Sequence, residues 1–339
     1  MRRLILLLAI PALILAAGGV FDWWVDPFGQ VYKPAALTQA ADDGCLLSEE
    51  LIGNMYWDFK LDVFHRRPTR TIVVGSSRVL KIQSHPGERT FVNMGWPGTA
   101  PQTILSLFRA LPAKPALAVY VGVEVFWFNK NGYRVPPDRL SWYRRGQYVL
   151  SRNTFEHAVD LVRSAHYVLL HRWRRARVGD RCVIGRIQPG FAWKLDGSRV
   201  WGWELDPSLP HFYPTHFTGA IPTLRDGYYT DFRALDPGRL RQLGQALALA
   251  HARGWKVVGF APPEPPFYLR LLETNNELAP RWHEFLTLMP RLFREHGASW
   301  IGLENGRADG CRPSDFPDAW HSDAACSAKL RNRLDAAAG

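Results

Sequence analysis

The sequence predicts an α/β fold of three layers, with helices on both faces of a mainly parallel sheet and a membrane helix at the N-terminus. Two observations predict the layers. Strand-like and helix-like segments alternate from Thr71 onward, and the strands are continuously apolar, as strands covered on both faces are. A third predicts the helix: the chain opens with two arginines, an apolar run from Leu4 to Val20, and then Phe21, Trp23 and Trp24. With 339 residues and 47% apolar content, the chain can bury one large core or two smaller ones.

The N-terminal run has about 17 apolar residues, the short limit for a bilayer span and the long limit for a signal-peptide core. Arginines before it and Asp22 and Asp26 after it orient the N-terminus to the cytoplasm and the bulk of the chain outside. The tryptophans suit a membrane interface. "LAAGG" lacks a clean A-x-A cleavage motif, so residues 1–24 read as an uncleaved anchor in the inner membrane, with a cleaved signal as the alternative. Residues 25–69, beginning "VDPFGQVYKPA", read as a juxtamembrane segment packed on the body.

From residue 70 the chain reads as one α/β domain. "TIVVG", "RTFVNMG" and "ALAVYVGVEV" are the first three strands, and "APQTILSLFRALPA" is a helix between the last two. "DPGRLRQLGQALALAHARG" has an Asp cap, a proline in the first turn and a glycine stop, and is a helix. "WKVVGFAPP" is a strand, 279–295 a helix and "ASWIGL" the last strand. The pattern breaks at about 130–235. There an amphipathic helical stretch, "QYVLSRNTFEHAVDLVRSAHYVLLHRWRRAR", leads into a loop-rich segment dense in aromatics, an insertion at the sheet's edge and a candidate lid or substrate platform.

The formal charge of +11 is scattered, with one dense run, "HRWRRAR". Without a zinc finger, an RNA-binding aromatic signature or a heptad zipper, that run reads as a solvated face, and nucleic acid is not an expected partner. The four cysteines suit an oxidising compartment, and none forms a C-x-x-C pair. Cys311–Cys326 with Cys45–Cys182 is the preferred pairing, the other two pairings staying open. The spacing matches no common zinc pattern. His211 and His216 of "HFYPTH" read as structural or substrate-lining rather than metal-binding. Trp193, Trp201 and Trp203 could stack on sugar rings or fill a core. No metal or organic cofactor is implied.

In an open parallel sheet, ligands collect beyond the carboxyl ends of the strands, where Gly75-Ser76-Ser77 lies. A serine there can cap the next helix or act as a nucleophile, and a nucleophile needs an oriented base. "FPDAWHSDAACSAKL" offers His321 with Asp318 three residues before it, at a spacing that lets the carboxylate reach the near imidazole nitrogen.

"VVGSSR", "NMGWPG" and "DAWH", in that order, resemble the first, second and last blocks of the SGNH (GDSL-type) hydrolase superfamily. The G-S-S form, with an N-terminal run and "DPFG" after it, resembles envelope-associated members, those of lipoteichoic-acid D-alanylation and alginate O-acetylation. The resemblance covers most of residues 71–334. It implies a flavodoxin-like sheet, Ser77 as nucleophile, His321 as general base and Asp318 as its orienter. Gly98 and the Ser77 backbone N–H would form the oxyanion hole. It further implies an acylated envelope or exported polysaccharide as substrate, and a possible membrane acyl-transfer partner. The third block departs from the pattern: in "GVEV", Glu124 stands where the family has an oxyanion-binding asparagine. An ionised carboxylate repels an oxyanion. Three outcomes follow: a protonated Glu124, a substitute donor such as Asn129, or a weak or inactive protein that binds carbohydrate or assists its assembly.

Overall fold

The structure is a computed structural model that describes residues 2–25, 44–49, 56–132, 149–163, 167–168, 172–173, 175–178, 181–184, 191–206, 208, 227–317 and 320–339. Contacts divide the chain into two compact units. One holds residues 1–62, 139–195 and 200–212; the other holds 63–138, 196–199 and 213–339.

The second unit carries a parallel sheet of five strands: β2 (Thr71–Val74), β3 (Phe91–Asn93), β4 (Ala118–Gly122), β11 (Lys256–Phe260) and β12 (Ser299–Ile301). Its spatial order is β12-β11-β4-β2-β3, and every pairing is parallel. Numbered by appearance within the sheet this is 2-1-3-4-5, the doubly wound order of the flavodoxin type. The chain leaves β2 toward one edge and then crosses to the other, so a switch point lies between β2 and β4.

Helices flank the sheet: α3 (Pro101–Ala110), α6 (Pro237–Ala252), α7 (Pro266–Thr274), α8 (Ala279–Glu295) and α9 (Ala324–Ala338). Ile72, Val73 and Val74 are all buried, as the absence of period-2 alternation requires. Val73, Phe91, Tyr120 and Val258 pack with Leu330 and Leu334 of α9. Helix α6 starts as its sequence signals. Asp236 accepts from the Arg239 N–H at 2.9 Å, Pro237 occupies the first turn, and Gly254, at φ +69°, follows the end.

The first unit contains helix α1 (Arg2–Val25), α4 (Arg152–Arg163) and a second sheet ordered β10-β9-β1-β8-β7. Its strands are β1 (Leu46–Ser48), β7 (Arg175–Val178), β8 (Arg181–Ile184), β9 (Phe191–Trp193) and β10 (Arg199–Trp201). Strand β1 pairs parallel with β8 and antiparallel with β9. Residues 46–48 therefore form a central strand, where a juxtamembrane segment was expected, and much of 130–235 joins them in a separate unit. A three-residue strand, Leu-Leu-Ser, is too short to show periodicity, so its pairing partner cannot be read locally. The Cys45–Cys182 disulfide closes beside this pairing, and Cys311–Cys326 closes in the other unit.

The helical reading of 147–177 holds only for α4. Beyond it, β5 (Tyr167–Val168) pairs with β6 (Arg172–Trp173), and β7 pairs antiparallel with β8. Tyr, Val and Trp serve a strand as well as a helix face, and pairing decides between them. Helix α1 exposes Ile10, Leu13, Ile14 and Leu15, yet among the described residues no helix is long and apolar enough to cross a membrane.

Candidate functional site

The turn after β2 is built around Val79. A Cβ on Gly75, Gly95 or Gly122 would lie 2.8, 2.5 or 2.6 Å from its methyls, so the Val79 side chain fills a socket that only glycine leaves open. These glycines sit at the carboxyl ends of β2, β3 and β4. Asn93, fully buried, locks the same turn: its amide donates to the carbonyls of Val79 and Ile82, both at 2.7 Å, and its oxygen accepts from the Gly95 N–H at 2.8 Å. The short 3₁₀ helix Ser77–Val79 is thereby fixed at the sheet's switch point.

The two serines divide the tasks proposed for them. Ser76 is the cap. Its hydroxyl accepts from the Arg78 N–H at 3.2 Å and donates to Glu124 Oε1 at 2.6 Å. Ser77 is half-buried, and its Oγ lies 2.9 Å from Nε2 of His321, which is 244 residues away in sequence. With a lone pair on Nε2, that nitrogen accepts the Ser77 proton. Among the described residues the backbone N–H groups of Ser77 and Gly98 have no hydrogen-bond acceptor, and Gly98 adopts φ +86° in its turn.

His321 is held by the loop leading into α9. Cys311–Cys326 closes that loop, the buried Asp315 accepts from the Arg312 backbone and guanidinium, both at 3.0 Å, and the Asp323 N–H donates to the Asp315 carbonyl at 2.7 Å. Asp323 then caps α9 through the Cys326 N–H at 2.8 Å. Asp318 lies outside the described residues, as do His211 and His216.

Glu124 is buried, and both of its oxygens are engaged: Oε1 by Ser76, and Oε2 by Nη1 of Arg78 at 2.7 Å. The same Nη1 donates to Glu264 Oε1 at 2.6 Å, while Nη2 donates to the carbonyls of Pro262 and Pro263 at 3.2 and 2.6 Å. Burial opposes the charge on Arg78, but the two carboxylates outweigh it and hold the guanidinium firmly protonated. One guanidinium balances only one carboxylate. Burial, reinforced by Glu124, raises Glu264 to about 7 despite the opposing pull of Arg78. The position expected to bind an oxyanion is thus half of a buried ion-pair cluster that braces the Ser76–Ser77 turn against the ends of β4 and β11.

Asn129 does not supply the missing donor. Both hydrogens of its amide go to backbone carbonyls, of Tyr228 at 2.9 Å and Thr230 at 2.8 Å, and its oxygen accepts from the Asn131 N–H at 3.1 Å. It anchors the 228–230 turn instead. Trp193 and Trp201 are buried, Trp193 beneath the Lys60 ammonium at 5.0 Å, so neither presents a face to a ligand.

Arg78, Glu264 and Asn93 carry the site's architecture, and the sequence reading passed over all three. Their signal was present: each is a polar residue beside an apolar strand end, and Glu264 is framed by prolines in "APPEPP". Chemically, the arrangement offers a hydroxyl with a base in reach and two unengaged N–H donors on the same rim, at a topological switch point. Compared with models of protein families, with curated proteins and with solved structures, the chain matches none.

Proposed function

We propose that this protein is an SGNH-like serine esterase or O-acyltransferase of the cell envelope, held to the inner membrane by α1 with its bulk in the periplasm. The supporting observation is the 2.9 Å separation of Ser77 Oγ and His321 Nε2 at the carboxyl end of β2. The exposed apolar residues of α1 and the two disulfides suit the assigned location.

In this reading Ser77 Oγ attacks an ester carbonyl while His321 Nε2 takes its proton. The carbonyl π pair moves onto oxygen, and the N–H groups of Ser77 and Gly98 would receive that oxyanion. The C–O bond to the leaving alcohol breaks, His321 returns the proton to that alcohol, and the acyl group stays on Ser77. Water or a sugar hydroxyl then attacks the acyl-serine, giving its proton to His321, and Ser77 leaves with that proton. Asp318 would orient the imidazole, as the family resemblance implies. Acylated envelope or exported polysaccharide is the proposed substrate, and a membrane acyl-transfer protein a proposed partner.

One observation favours a second reading, a catalytically inactive carbohydrate-binding or assembly protein: neither Glu124 nor Asn129 can donate to an oxyanion. Losing one such donor costs about a hundredfold in rate. A fluorophosphonate probe separates the two readings. The hydrolase reading expects covalent labelling of the wild-type chain, lost in Ser77→Ala and His321→Ala; absence of labelling in the wild type removes it.

A further inference from the structure

We propose that α4 and the chain just before it form a second membrane contact, laid in the headgroup layer of an anionic bilayer where α1 leaves the protein body. The proposal deepens the reading of α1 as a membrane anchor, on which it rests, and is independent of the hydrolase chemistry.

The burial of α1 changes along its length. Every residue from Ile10 to Ala17 is exposed, so no protein surrounds that stretch. From Gly19 onward one side is packed: Gly19, Asp22 and Val25, spaced three apart, are buried, while Val20 stays exposed. The packed side meets α4. Phe21 and Phe155 pack edge to face at 5.6 Å, and a Cβ on Gly19 would lie 2.9 Å from Leu150 Cδ2. Helix α4 therefore lies against the last turns of α1, at the level where a span meets its interface.

The faces of α4 are reversed from those of a helix bathed in water. Thr154 and Ala158 are buried. Phe155 and Val162, seven residues apart and so on one side, are 43% and 47% exposed, and Leu150 is 58% exposed. Small residues inward and large apolar ones outward is the order of a helix whose outer medium is lipid. Charge complements this order. Residues 139–195 hold twelve Lys and Arg against three Asp and Glu, whereas the whole chain has 42 against 31. They belong to the same compact unit as α1. An apolar edge within a basic segment fits anionic phospholipid, which takes the apolar side chains at its acyl boundary and the cations at its phosphates. A soluble polyanion would match the charge but leave the apolar edge in water.

The test is spin-label depth measurement on the full chain reconstituted in vesicles of phosphatidylethanolamine with phosphatidylglycerol. The four cysteines are all paired, so a nitroxide attaches only to the cysteine introduced by Leu150→Cys, Val162→Cys or, as a control on α8, Arg291→Cys. Collision with oxygen and with a soluble nickel chelate reads the depth. The expected result places the Leu150→Cys and Val162→Cys labels about 5–10 Å below the phosphates and the Arg291→Cys label in water. Unchanged thermal melting of each labelled variant excludes a folding defect. The proposal is overturned if either α4-side label is as water-accessible as the control. It is also overturned if soluble polyaspartate immobilises those labels and vesicles do not, which assigns the surface to a polyanionic partner. Vesicle flotation followed by alkaline carbonate extraction judges the anchor separately. A chain that floats and resists extraction with its α4-side labels in water keeps the anchor and loses the second contact; a chain that fails to float loses both.

Discussion

Replacing Arg78 by methionine tests whether the buried ion cluster builds the site. The change removes a guanidinium bonded to Glu124 at 2.7 Å and Glu264 at 2.6 Å, and also to two proline carbonyls. Both carboxyl groups are buried, and the variant leaves them facing each other without a counter-charge. Breaking a buried pair in this way costs about 3–5 kcal/mol, most of it the penalty of the stranded charge. The triple variant Arg78→Met/Glu124→Gln/Glu264→Gln removes those charges and is expected to lie within about 2 kcal/mol of wild type, since neutral replacements of buried clusters are well tolerated. Urea unfolding followed by circular dichroism measures both. The single variant's deficit must also shrink as the pH falls toward 4. The Glu264 carboxyl has a folded pKa above its unfolded one, so its penalty acts above the unfolded pKa and fades as both states become protonated. A deficit below about 1 kcal/mol, no recovery in the triple variant, or a deficit independent of pH would refute the cluster's role.

Three further predictions follow from the same geometry. Glu264 titrates at about 7 in the folded chain and near 4.5 when unfolded, so the folded state keeps its proton longer; its contribution to stability declines as pH rises from 4.5 to 7, and Glu264→Gln should flatten that slope in melting curves. Gly122→Ala places a Cβ 2.6 Å from Val79 and 3.2 Å from Phe260, which should cost about 1–3 kcal/mol; adding Val79→Ala should give a double variant less destabilised than the sum of the single ones. Cys311→Ser/Cys326→Ser opens a loop of 15 residues that contains His321; it should cost about 3 kcal/mol in urea unfolding and slow phosphonate labelling, and labelling at the wild-type rate would show that the disulfide does not position the base.

Much of the α/β unit was legible because its signals are local. Four apolar residues ending in glycine, an Asp-Pro helix start and a glycine stop each act within a few residues, and β2, α6 and β11 appear where those signals put them. Ser77 and His321, which meet at 2.9 Å, were legible as chemical types at strand and loop ends. The brace was not. Arg78 was passed over and Glu124 read as a defect in a motif; their meaning depends on Glu264, 186 residues beyond Arg78, reaching the same guanidinium.

The sequence by itself determined the strand–helix alternation and hence a buried parallel sheet, because hydrophobic periodicity and capping are short-range effects written residue by residue. It also placed a serine and a histidine at loops that such a sheet brings to one rim. Only the tertiary structure decided that residues 46–48 are a central strand of a second sheet, that Ser76 caps while Ser77 faces His321, and that Asn129 is committed to backbone carbonyls. Each of these depends on which distant group satisfies a buried polar atom or an open strand edge. No local pattern encodes that choice; it is made when the chain closes on itself and every donor must find an acceptor.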